Sequence, residues 1–234
     1  MDNSTRLQYL EAMGIDVWVP RKPAPVVNQT ESGSTSEYLI QEPQVQDNTQ
    51  QTWAELEAEV AGCTKCALCQ TRTQTVFGTG NKTADWMIIG EAPGQHEDEQ
   101  GKPFVGKAGA LLTEMLRAVG LDRDDVFITN ILKCRPPGNR DPKPDEAESC
   151  STYLQQQRAL VKPKIILAVG RIAAQTLLNT DAPIGKLRGK VHELDGTPLV
   201  VVYHPAYLLR SLLEKRKAWQ DLQLAVKTVN QSGN

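Results

Sequence analysis

The sequence predicts an α/β protein: a three-layer α/β/α sandwich with a mainly parallel, four-stranded central sheet. Two observations support this prediction. Short apolar runs recur along the chain, as expected of strands that are buried on both faces. Segments with helical periodicity separate these runs, and alternating strands and helices favour a parallel sheet that is covered on both sides.

Three apolar runs and one hairpin account for the predicted strands. The runs are "DWMIIG" (85–90), "VFITNIL" (126–132) and "KIILAVG" (164–170). "KVHELDGTPLVVVYHP" predicts a hairpin that turns at Asp195 and Gly196, because Asp-Gly is a preferred two-residue hairpin turn.

Four segments between and after the strands are predicted to be helices. "AGALLTEMLRAVG" places four apolar side chains on one face before a glycine stop: Leu112, Met115, Leu116 and Val119. "PDEAESCSTYLQQQRALV" carries acidic residues in its first turn, where the helix dipole favours them. "RIAAQTLL" follows the third run directly, and "EKRKAWQDLQLAVKTV" predicts a surface helix.

Residues 1–50 are predicted to be an N-terminal extension, and residues 51–234 the folded domain. "STRLQYLEAMGIDVWVP" predicts a short amphipathic helix that ends at Pro20. Residues 21–50 have little to bury and are predicted to be a disordered linker. The extension has a formal charge of −4 and the remainder +2, within a total of −2. Any contact with nucleic acid must therefore come from a local basic patch.

The composition is that of an ordinary soluble globular protein, with 40% hydrophobic and 23% charged residues. No run approaches the ~18 apolar residues of a membrane span, and the start lacks a secretory signal. We therefore expect a cytoplasmic monomer with no membrane partner. Structural disulfides are rare in that compartment, so an odd count of five cysteines with a C-x2-C pair indicates metal or cofactor ligation.

The cysteines form two groups that are far apart in the sequence. Cys63, Cys66 and Cys69 lie in "CTKCALC", whereas Cys134 and Cys150 flank a charged, proline-rich loop, "CRPPGNRDPKPDEAESC". That loop has too few apolar residues to form a core of its own. Either the distant cysteines meet at one site, or the pattern has no meaning.

Glycine-rich and polar motifs follow the predicted strands. "GEAPG" follows the first run, Asn130 lies in the second, and "YHPAYLLR" follows the last strand. Because parallel sheets bind ligands at the carboxyl ends of their strands, these motifs predict the site. Taken alone, each has a plainer explanation. "GEAPG" is compatible with a simple turn. Phe104, in the glycine-rich "GKPFVGKAG" that follows, either packs in the core or stacks as an exposed ring on a planar ligand. For His204 the plainer explanation is a structural role.

Together and in this order, the motifs resemble those of the family 4 uracil-DNA glycosylases, the iron–sulfur branch of that superfamily. The resemblance extends from about Cys63 to Arg210 and rests on "CTKC", "GEAPG", "GKPFVGKAG", "ITNILKCRPPGNRDP", "LRGK" and "YHPAYLLR". It implies a monofunctional enzyme of base excision repair that acts on uracil-containing DNA. Such an enzyme flips uracil out of the stack and hydrolyses its N-glycosidic bond, leaving an abasic site.

The resemblance also implies a structural [4Fe–4S] cluster. Its matching ligands are Cys63, Cys66, Cys134 and Cys150, which leaves Cys69 as a spare thiol. A C-x2-C turn presents two thiolates to one cluster, as in other iron–sulfur proteins. A tetrahedral zinc site with four cysteines is compatible with the same spacing and remains the alternative.

By the same resemblance, Asn130 reads the hydrogen-bonding edge of uracil. Its amide donates to the 4-carbonyl and accepts from the ring N–H, and cytosine reverses both polarities. Phe104 stacks on the extruded ring, and backbone amides around Glu91 and Ala92 contact the 2-carbonyl. His204 hydrogen-bonds the same carbonyl, where negative charge gathers as the base departs. The candidate catalytic residues are thus His204, Asn130 and Glu91.

Two positions depart from the family 1 enzymes of the superfamily. Ala92 stands where those enzymes carry an aspartate that positions water, and Gly94 stands where they carry an aromatic residue that excludes the methyl group of thymine. The sequence therefore offers no evident carboxylate for water activation. Glu97 in "QHEDEQG" is the candidate methyl screen, and the alternative is that this run is only a solvated acidic face.

Loops around the pocket are predicted to hold DNA. Leu208 or Leu209 is the predicted wedge into the gap left by the base, and Arg210 is a predicted phosphate contact. Further positive charge comes from "KLRGK" and from the cysteine loop: Lys186, Arg188, Lys190, Lys133, Arg135 and Arg140. For each of these, a solvated surface charge is the alternative.

Two other functions remain open. One is a non-enzymatic iron–sulfur DNA-binding module of the same fold, which predicts a degraded pocket. The other is a zinc-stabilised nucleotide-binding α/β protein. Against the latter, "GEAPG" does not match the dinucleotide fingerprint, and the sequence has no G-x-x-x-x-G-K-[ST] loop.

Overall fold

The computed structural model describes residues 52–232, and the elements below are those of this part of the chain. Its strands are β1 (Thr79–Gly80), β2 (Trp86–Gly90), β3 (Val126–Asn130), β4 (Ile165–Val169), β5 (Val191–Leu194) and β6 (Thr197–Val202). Its α-helices are α1 (Trp53–Ala61), α2 (Gln95–Gln100), α3 (Lys107–Arg117), α4 (Pro144–Val161), α5 (Arg171–Leu177), α6 (Ile184–Leu187), α7 (Pro205–Leu208) and α8 (Lys215–Ser232). The predicted extension, residues 1–50, lies outside the described residues, so its short helix and linker stay predictions.

The strands of the described region form one sheet in the order β1-β3-β2-β4-β6-β5. The four central strands run parallel, which confirms the predicted core of the sheet. Two antiparallel edge strands extend the predicted four-stranded sheet to six: β5 is the first strand of the predicted hairpin, and β1 was not predicted. The hairpin turns at Asp195 and Gly196 as predicted, with φ values of 47° and 80° that suit a two-residue hairpin turn.

Successive residues of the central strands face two different apolar cores, one on each side of the sheet. In β2, Met87 and Ile89 belong to one core, and Trp86 and Ile88 to the other. Helices α1, α4 and α5 close the first core, and helices α3 and α8 close the second. This arrangement is the predicted three-layer sandwich.

The helix predictions agree closely with the structure. Leu112, Met115 and Leu116 of α3 are buried, and Val119, just beyond the end of that helix, packs partly buried on the same core. The C-terminal helix α8 is more than the predicted surface helix, because its inner face is buried against the sheet through Ala218, Leu222 and Ala225. Among the helices of residues 52–232, none is long and apolar enough to cross a membrane.

Strand β2 is the point at which the strand order reverses. The chain continues from β2 to β3 on one side of the sheet, and β4 then pairs with β2 on the other side. Loops that leave the sheet in opposite directions open a crevice at the carboxyl ends of the strands, where parallel sheets bind their ligands.

Candidate active site and cysteine site

A cleft of about 820 Å³ opens at the carboxyl ends of the parallel strands. Each central strand contributes to it: Glu91 follows β2, Asn130 ends β3, Arg171 follows β4, and His204 follows β6. All six residues predicted to bind uracil line this one cleft: Glu91, Ala92, Glu97, Phe104, Asn130 and His204. The structure thus brings these residues together, and their individual roles stay predictions.

Asn130 and Phe104 meet over Gly90, the last residue of β2. A β-carbon placed on Gly90 would overlap the Oδ1 atom of Asn130 and would lie only 2.6 Å from the Cζ atom of Phe104. Glycine therefore lets both side chains reach the floor of the cleft. Phe104 is 7% exposed, so the expectation of an exposed ring is wrong. The ring is instead part of the cleft wall, packed against the sheet.

The backbone of Phe104 has an uncommon conformation for a residue with a side chain. Its φ of 54° lies in the left-handed region, and such residues cluster at functional sites. Two hydrogen bonds hold the residues on either side of Phe104. Arg123 Nη2 donates to the Pro103 carbonyl at 3.0 Å. The Val105 amide donates to Glu97 Oε1 at 3.1 Å.

Glu97 is therefore tied to the cleft wall beside Phe104 and is not a freely solvated member of an acidic run. It lies on α2 and lines the cleft. A β-carbon placed on Gly94 would come within 2.7 Å of the Glu97 Oε2 atom. The carboxylate thus fills the space that a side chain at position 94 would need.

His204 has a defined tautomer. Its Nδ1 atom accepts a hydrogen bond of 3.1 Å from the Ala206 amide, so the proton of the neutral ring sits on Nε2. Burial lowers the pKa of His204 to about 4, and the positive charge of Arg210 adds to that shift. The imidazole is thus neutral at neutral pH. Its ring stacks beside Phe104, with 5.7 Å between the ring centroids and 27° between the planes.

Glu91 brings a titratable carboxyl group into the cleft. Burial raises its pKa to about 7, the carboxylate of Asp141 raises it further, and Arg171 opposes both. Arg171 and Asp141 themselves form an ion pair at 2.7 Å. The Leu132 amide donates to the Glu91 carbonyl at 3.1 Å, which fixes the backbone of this residue beside β3.

A second site lies apart from the cleft, where all five cysteines line one small cavity. The structure thus brings together the two groups that the sequence separates. Cys63, Cys66 and Cys69 come from the segment after α1, and they are partly exposed. Cys134 and Cys150 are buried, the latter on α4.

The guanidinium cation of Arg72 faces the cysteines. Arg72 Nη1 donates to Cys134 Sγ at 3.1 Å, and its Nη2 donates to the Cys63 carbonyl at 2.8 Å. Burial raises the pKa of the Cys134 thiol to about 11, and the Arg72 guanidinium opposes the shift. The Tyr153 hydroxyl is buried at the same wall near Cys63, without a well-formed hydrogen bond to the described residues. A buried hydroxyl of this kind needs a partner.

Among residues 52–232, no three Cys, His, Asp or Glu side chains stand close enough to share a single metal ion. A zinc ion with Zn–S bonds of about 2.3 Å would hold its four sulfurs roughly 3.8 Å apart. The cysteine side chains instead surround a cavity. Their thiols are the donors that either an iron–sulfur cluster or a zinc ion would use.

The predicted leucine wedge needs a correction. Leu208 is 1% exposed and belongs to the core that α3 and α8 close, so it cannot enter DNA while the fold stays intact. Leu209 is 42% exposed and keeps the predicted role. Sequence reasoning missed the leucine pair Leu212 and Leu213, of which Leu213 is 92% exposed. Its signal was present as two apolar residues directly before the basic run "EKRK".

One of the predicted basic contacts is wrong, because Lys133 is fully buried and cannot reach a phosphate. The Arg188 guanidinium is partly buried and is held by the buried carboxylate of Asp221, with bonds of 2.9 Å to each oxygen. Its role as a phosphate contact stays a prediction. Arg140 lines the cleft but pairs with both oxygens of Glu146.

The other predicted basic residues differ in their freedom to bind phosphate. Arg135 donates to Asn139 at 2.7 Å. Lys186 and Lys190 are exposed. Arg210 is exposed at the cleft rim, which makes it the best-placed candidate.

Comparison with known proteins agrees with this geometry. The model of the uracil DNA glycosylase superfamily matches residues 77–223. The type-4 uracil-DNA glycosylase of Archaeoglobus fulgidus is 47% identical over 159 residues, which cover 64% of this chain and 80% of that protein. The type-4 enzyme of Thermotoga maritima is 39% identical over 178 residues, or 74% of this chain and 93% of that protein. The type-5 enzyme of Pyrobaculum aerophilum is 32% identical over 146 residues, or 55% and 64%.

Proposed function

The chain belongs to the uracil DNA glycosylase superfamily, and from this premise we propose that it removes uracil from DNA by hydrolysis of the N-glycosidic bond. It is a DNA repair glycosylase, similar to enzymes named as type-4 uracil-DNA glycosylases. One observation carries the assignment of the site: Phe104, Asn130 and His204 converge in one cleft at the carboxyl ends of the parallel strands.

The cleft receives a base that has left the DNA stack. Extrusion costs a few kcal/mol and lets the enzyme test the hydrogen-bonding edge of the base. The Asn130 amide donates to the 4-carbonyl of uracil and accepts from its ring N–H. Cytosine reverses both polarities and would leave buried groups unpaired, at about 1–3 kcal/mol for each. Phe104 forms the apolar wall on which the flat ring packs.

Discrimination against thymine falls to Glu97. Its carboxylate occupies the space above Gly94 and is held by the Val105 amide. A methyl group on the 5-carbon of the base would meet this fixed, charged group, and thymine would be rejected by contact and by desolvation of the carboxylate.

His204 stabilises the leaving base. As the bond between the sugar C1′ and the base N1 breaks, its electron pair stays on uracil, and negative charge gathers at the 2-carbonyl. The neutral imidazole donates a hydrogen bond from Nε2–H to that oxygen and keeps its proton, since Nδ1 is already occupied as an acceptor. An oriented donor of this kind contributes about 2.7–4 kcal/mol to transition-state stabilisation.

The sugar is left with positive charge, which water discharges by forming a bond to C1′ and releasing a proton. Ala92 supplies no carboxylate, but the neighbouring Glu91 lines the cleft. In its ionised form Glu91 favours the cationic sugar and accepts the proton of the attacking water.

The cysteine site would hold a [4Fe–4S] cluster through Cys63, Cys66, Cys134 and Cys150. The four thiol donors at one cavity and the similarity to enzymes named as type-4 uracil-DNA glycosylases support this proposal. When bound, such a cluster would act as a structural cross-link between the segment after α1 and helix α4. Hydrolysis of the glycosidic bond requires no electron transfer.

DNA is held at the rim of the cleft. Leu209 fills the gap that the extruded base leaves, and Arg210 binds a backbone phosphate. Lys186 and Lys190 add exposed positive charge.

The experiment that tests the function is release of the free base from an oligonucleotide that contains one uracil. Matched oligonucleotides with cytosine or thymine at the same position are the controls. We expect uracil alone to be released, leaving an abasic site. Binding without release would favour the non-enzymatic DNA-binding module, and failure to bind DNA would favour the nucleotide-binding alternative.

A further inference from the structure

Lys133 is buried directly beneath the floor of the cleft, where its ammonium group has a complete set of partners. It is 1% exposed. Its Nζ atom donates to Thr129 Oγ1 at 2.7 Å, to the Asn130 carbonyl at 2.8 Å and to Gln157 Oε1 at 2.7 Å. An ammonium group has three protons, and here each has an acceptor.

The acceptors are themselves fixed in place. Thr129 Oγ1 and Gln157 Nε2 both donate to the Phe77 carbonyl at 2.9 Å. Every member of this network is buried, and a satisfied buried polar network holds its members in one arrangement.

The network connects the cleft with the cysteine site. At one end it holds the carbonyl of Asn130, the last residue of β3. At the other end Lys133 precedes Cys134 and lines the cysteine cavity. Gln157 lies on α4, about two helical turns beyond Cys150.

We propose that Lys133 is a positioning residue for base recognition: its ammonium group holds the backbone of Asn130, and thereby the side-chain amide that reads the base, against the cysteine-bearing helix. The inference rests on the proposed function, since it needs Asn130 to contact the base. A group that reads two hydrogen bonds tolerates little displacement, and an error of about 1 Å in position can cost on the order of 10²-fold in rate.

The choice of residue supports a positioning role. Filling the same volume would need only an apolar side chain, and burying an ammonium group is costly unless it is fully hydrogen-bonded. Lysine adds what methionine would lack, namely directed bonds to three fixed oxygens. These bonds constrain the direction in which β3 ends.

The test uses Lys133→Met and the double variant Lys133→Met/Gln157→Leu in the full-length, cluster-loaded protein. The single variant removes the lysine donor from all three buried acceptors, and the double variant also removes the Gln157 amide. Lys164→Met is the matched control, because Lys164 is an exposed lysine paired with Asp85. Four quantities are measured: single-turnover uracil excision, DNA affinity, the melting temperature and iron content.

We expect the single-turnover rate of Lys133→Met to fall by a factor on the order of 10–10², with DNA affinity and iron content retained. In the double variant the melting temperature should recover while the rate stays low. Recovery of both together would mean that the network matters only for stability and would overturn the inference. An unchanged rate in folded Lys133→Met would do the same.

If Lys133→Met does not fold, Gln157→Leu alone serves as the second variant, since it removes one anchor of the ammonium group and leaves the lysine. A lower excision rate supports the inference, and an unchanged rate overturns it. Asn130→Ala distinguishes the two proposals. If it abolishes excision while Lys133→Met does not, only the inference fails. If it leaves uracil excision intact, Asn130 is not the base reader and the inference fails, whereas the proposed function stands because uracil is still released.

Discussion

The Nδ1 atom of His204 accepts a hydrogen bond from the Ala206 amide at 3.1 Å. This contact places the histidine at the start of α7 and fixes which ring nitrogen carries the proton. The ring thus presents a neutral donor to the cleft. Because its pKa is depressed to about 4, protonation does not compete with this role at neutral pH.

Replacing this histidine should affect the chemical step and leave binding unchanged. We expect His204→Ala to lower single-turnover uracil excision by about 10²–10³-fold, the usual effect of losing one donor to a developing anion. His96→Ala is the control, because the His96 side chain is exposed and does not line the cleft. A loss confined to DNA affinity would contradict the catalytic role.

Glu91 should make excision depend on pH. Because its pKa is raised to about 7, the group changes from the acid to the carboxylate as pH rises through neutrality. We expect the single-turnover rate to rise between about pH 6 and pH 8, and Glu91→Gln to lower the rate and remove this rise. A pH profile of the same shape in the variant would show that another group titrates.

The carboxyl proton of Glu91 should also make the free energy of unfolding depend on pH. The folded state holds it up to about pH 7, whereas the unfolded carboxyl loses it near its ordinary pKa of 4.5. The free energy of unfolding contributed by this group therefore falls as pH rises from about 4.5 to above 7. Denaturant unfolding of Glu91→Gln should lack that decline.

Asn130→Asp should relax selection towards cytosine, because an aspartate side chain can reverse its polarity by protonation and then donate to the cytosine ring nitrogen. The measurement is the ratio of excision rates on uracil and cytosine in otherwise identical oligonucleotides. Asn81→Asp, at an exposed turn where the oxygen accepts from Thr83, is the control. An unchanged ratio would mean that another residue reads the edge.

The five cysteines should separate into four ligands and one spare thiol. Pure protein is expected to be brown, with broad absorbance near ~400 nm and about four irons per chain. Cys134→Ser should lose iron and colour and should melt at a lower temperature, whereas Cys69→Ser should keep all three properties. A colourless, zinc-containing protein prepared without oxygen would reject the cluster in favour of a zinc site.

Arg210 should contribute to DNA affinity through charge alone. One phosphate contact steepens the dependence of log K on log salt by about 0.9 for duplex DNA, so Arg210→Ala should reduce the slope by that amount. Arg117→Ala is the control, because Arg117 is an exposed arginine on α3 paired with Glu114. If the unmodified protein, Arg210→Ala and Arg117→Ala have equal slopes, Arg210 does not contact DNA phosphate.

Pattern-based reasoning was strongest for elements whose burial is regular. The parallel strands β2, β3 and β4 are buried throughout and mostly apolar, and the hairpin carries its own turn residues, so both were predictable. Strand β1 was not, because two residues that include a glycine give no periodic signal. Its pairing depends on neighbours that lie far away in the sequence.

The site was predictable as a set of motifs, but the exposure of single residues was not. Leu208 and Leu209 are chemically identical in the sequence, and only the packing of α7 against α3 buries the first. Lys133 and Arg188 look like surface charges until their partners, Gln157 and Asp221, are known. These pairs lie 24 and 33 residues apart, which is beyond the reach of local pattern.

The packing of the C-terminal helix α8 on β6 has a consequence for how the protein is made. All five cysteines have been synthesised once residue 150 is complete, so the cysteine side of the sheet can begin to assemble early. The opposite face must wait, because Val200 and Val202 of β6 stay uncovered until Leu222 and Ala225 of the last helix emerge from the ribosome. Until then this newly made strand presents bare apolar surface, and that interval is when the nascent chain most needs protection from aggregation.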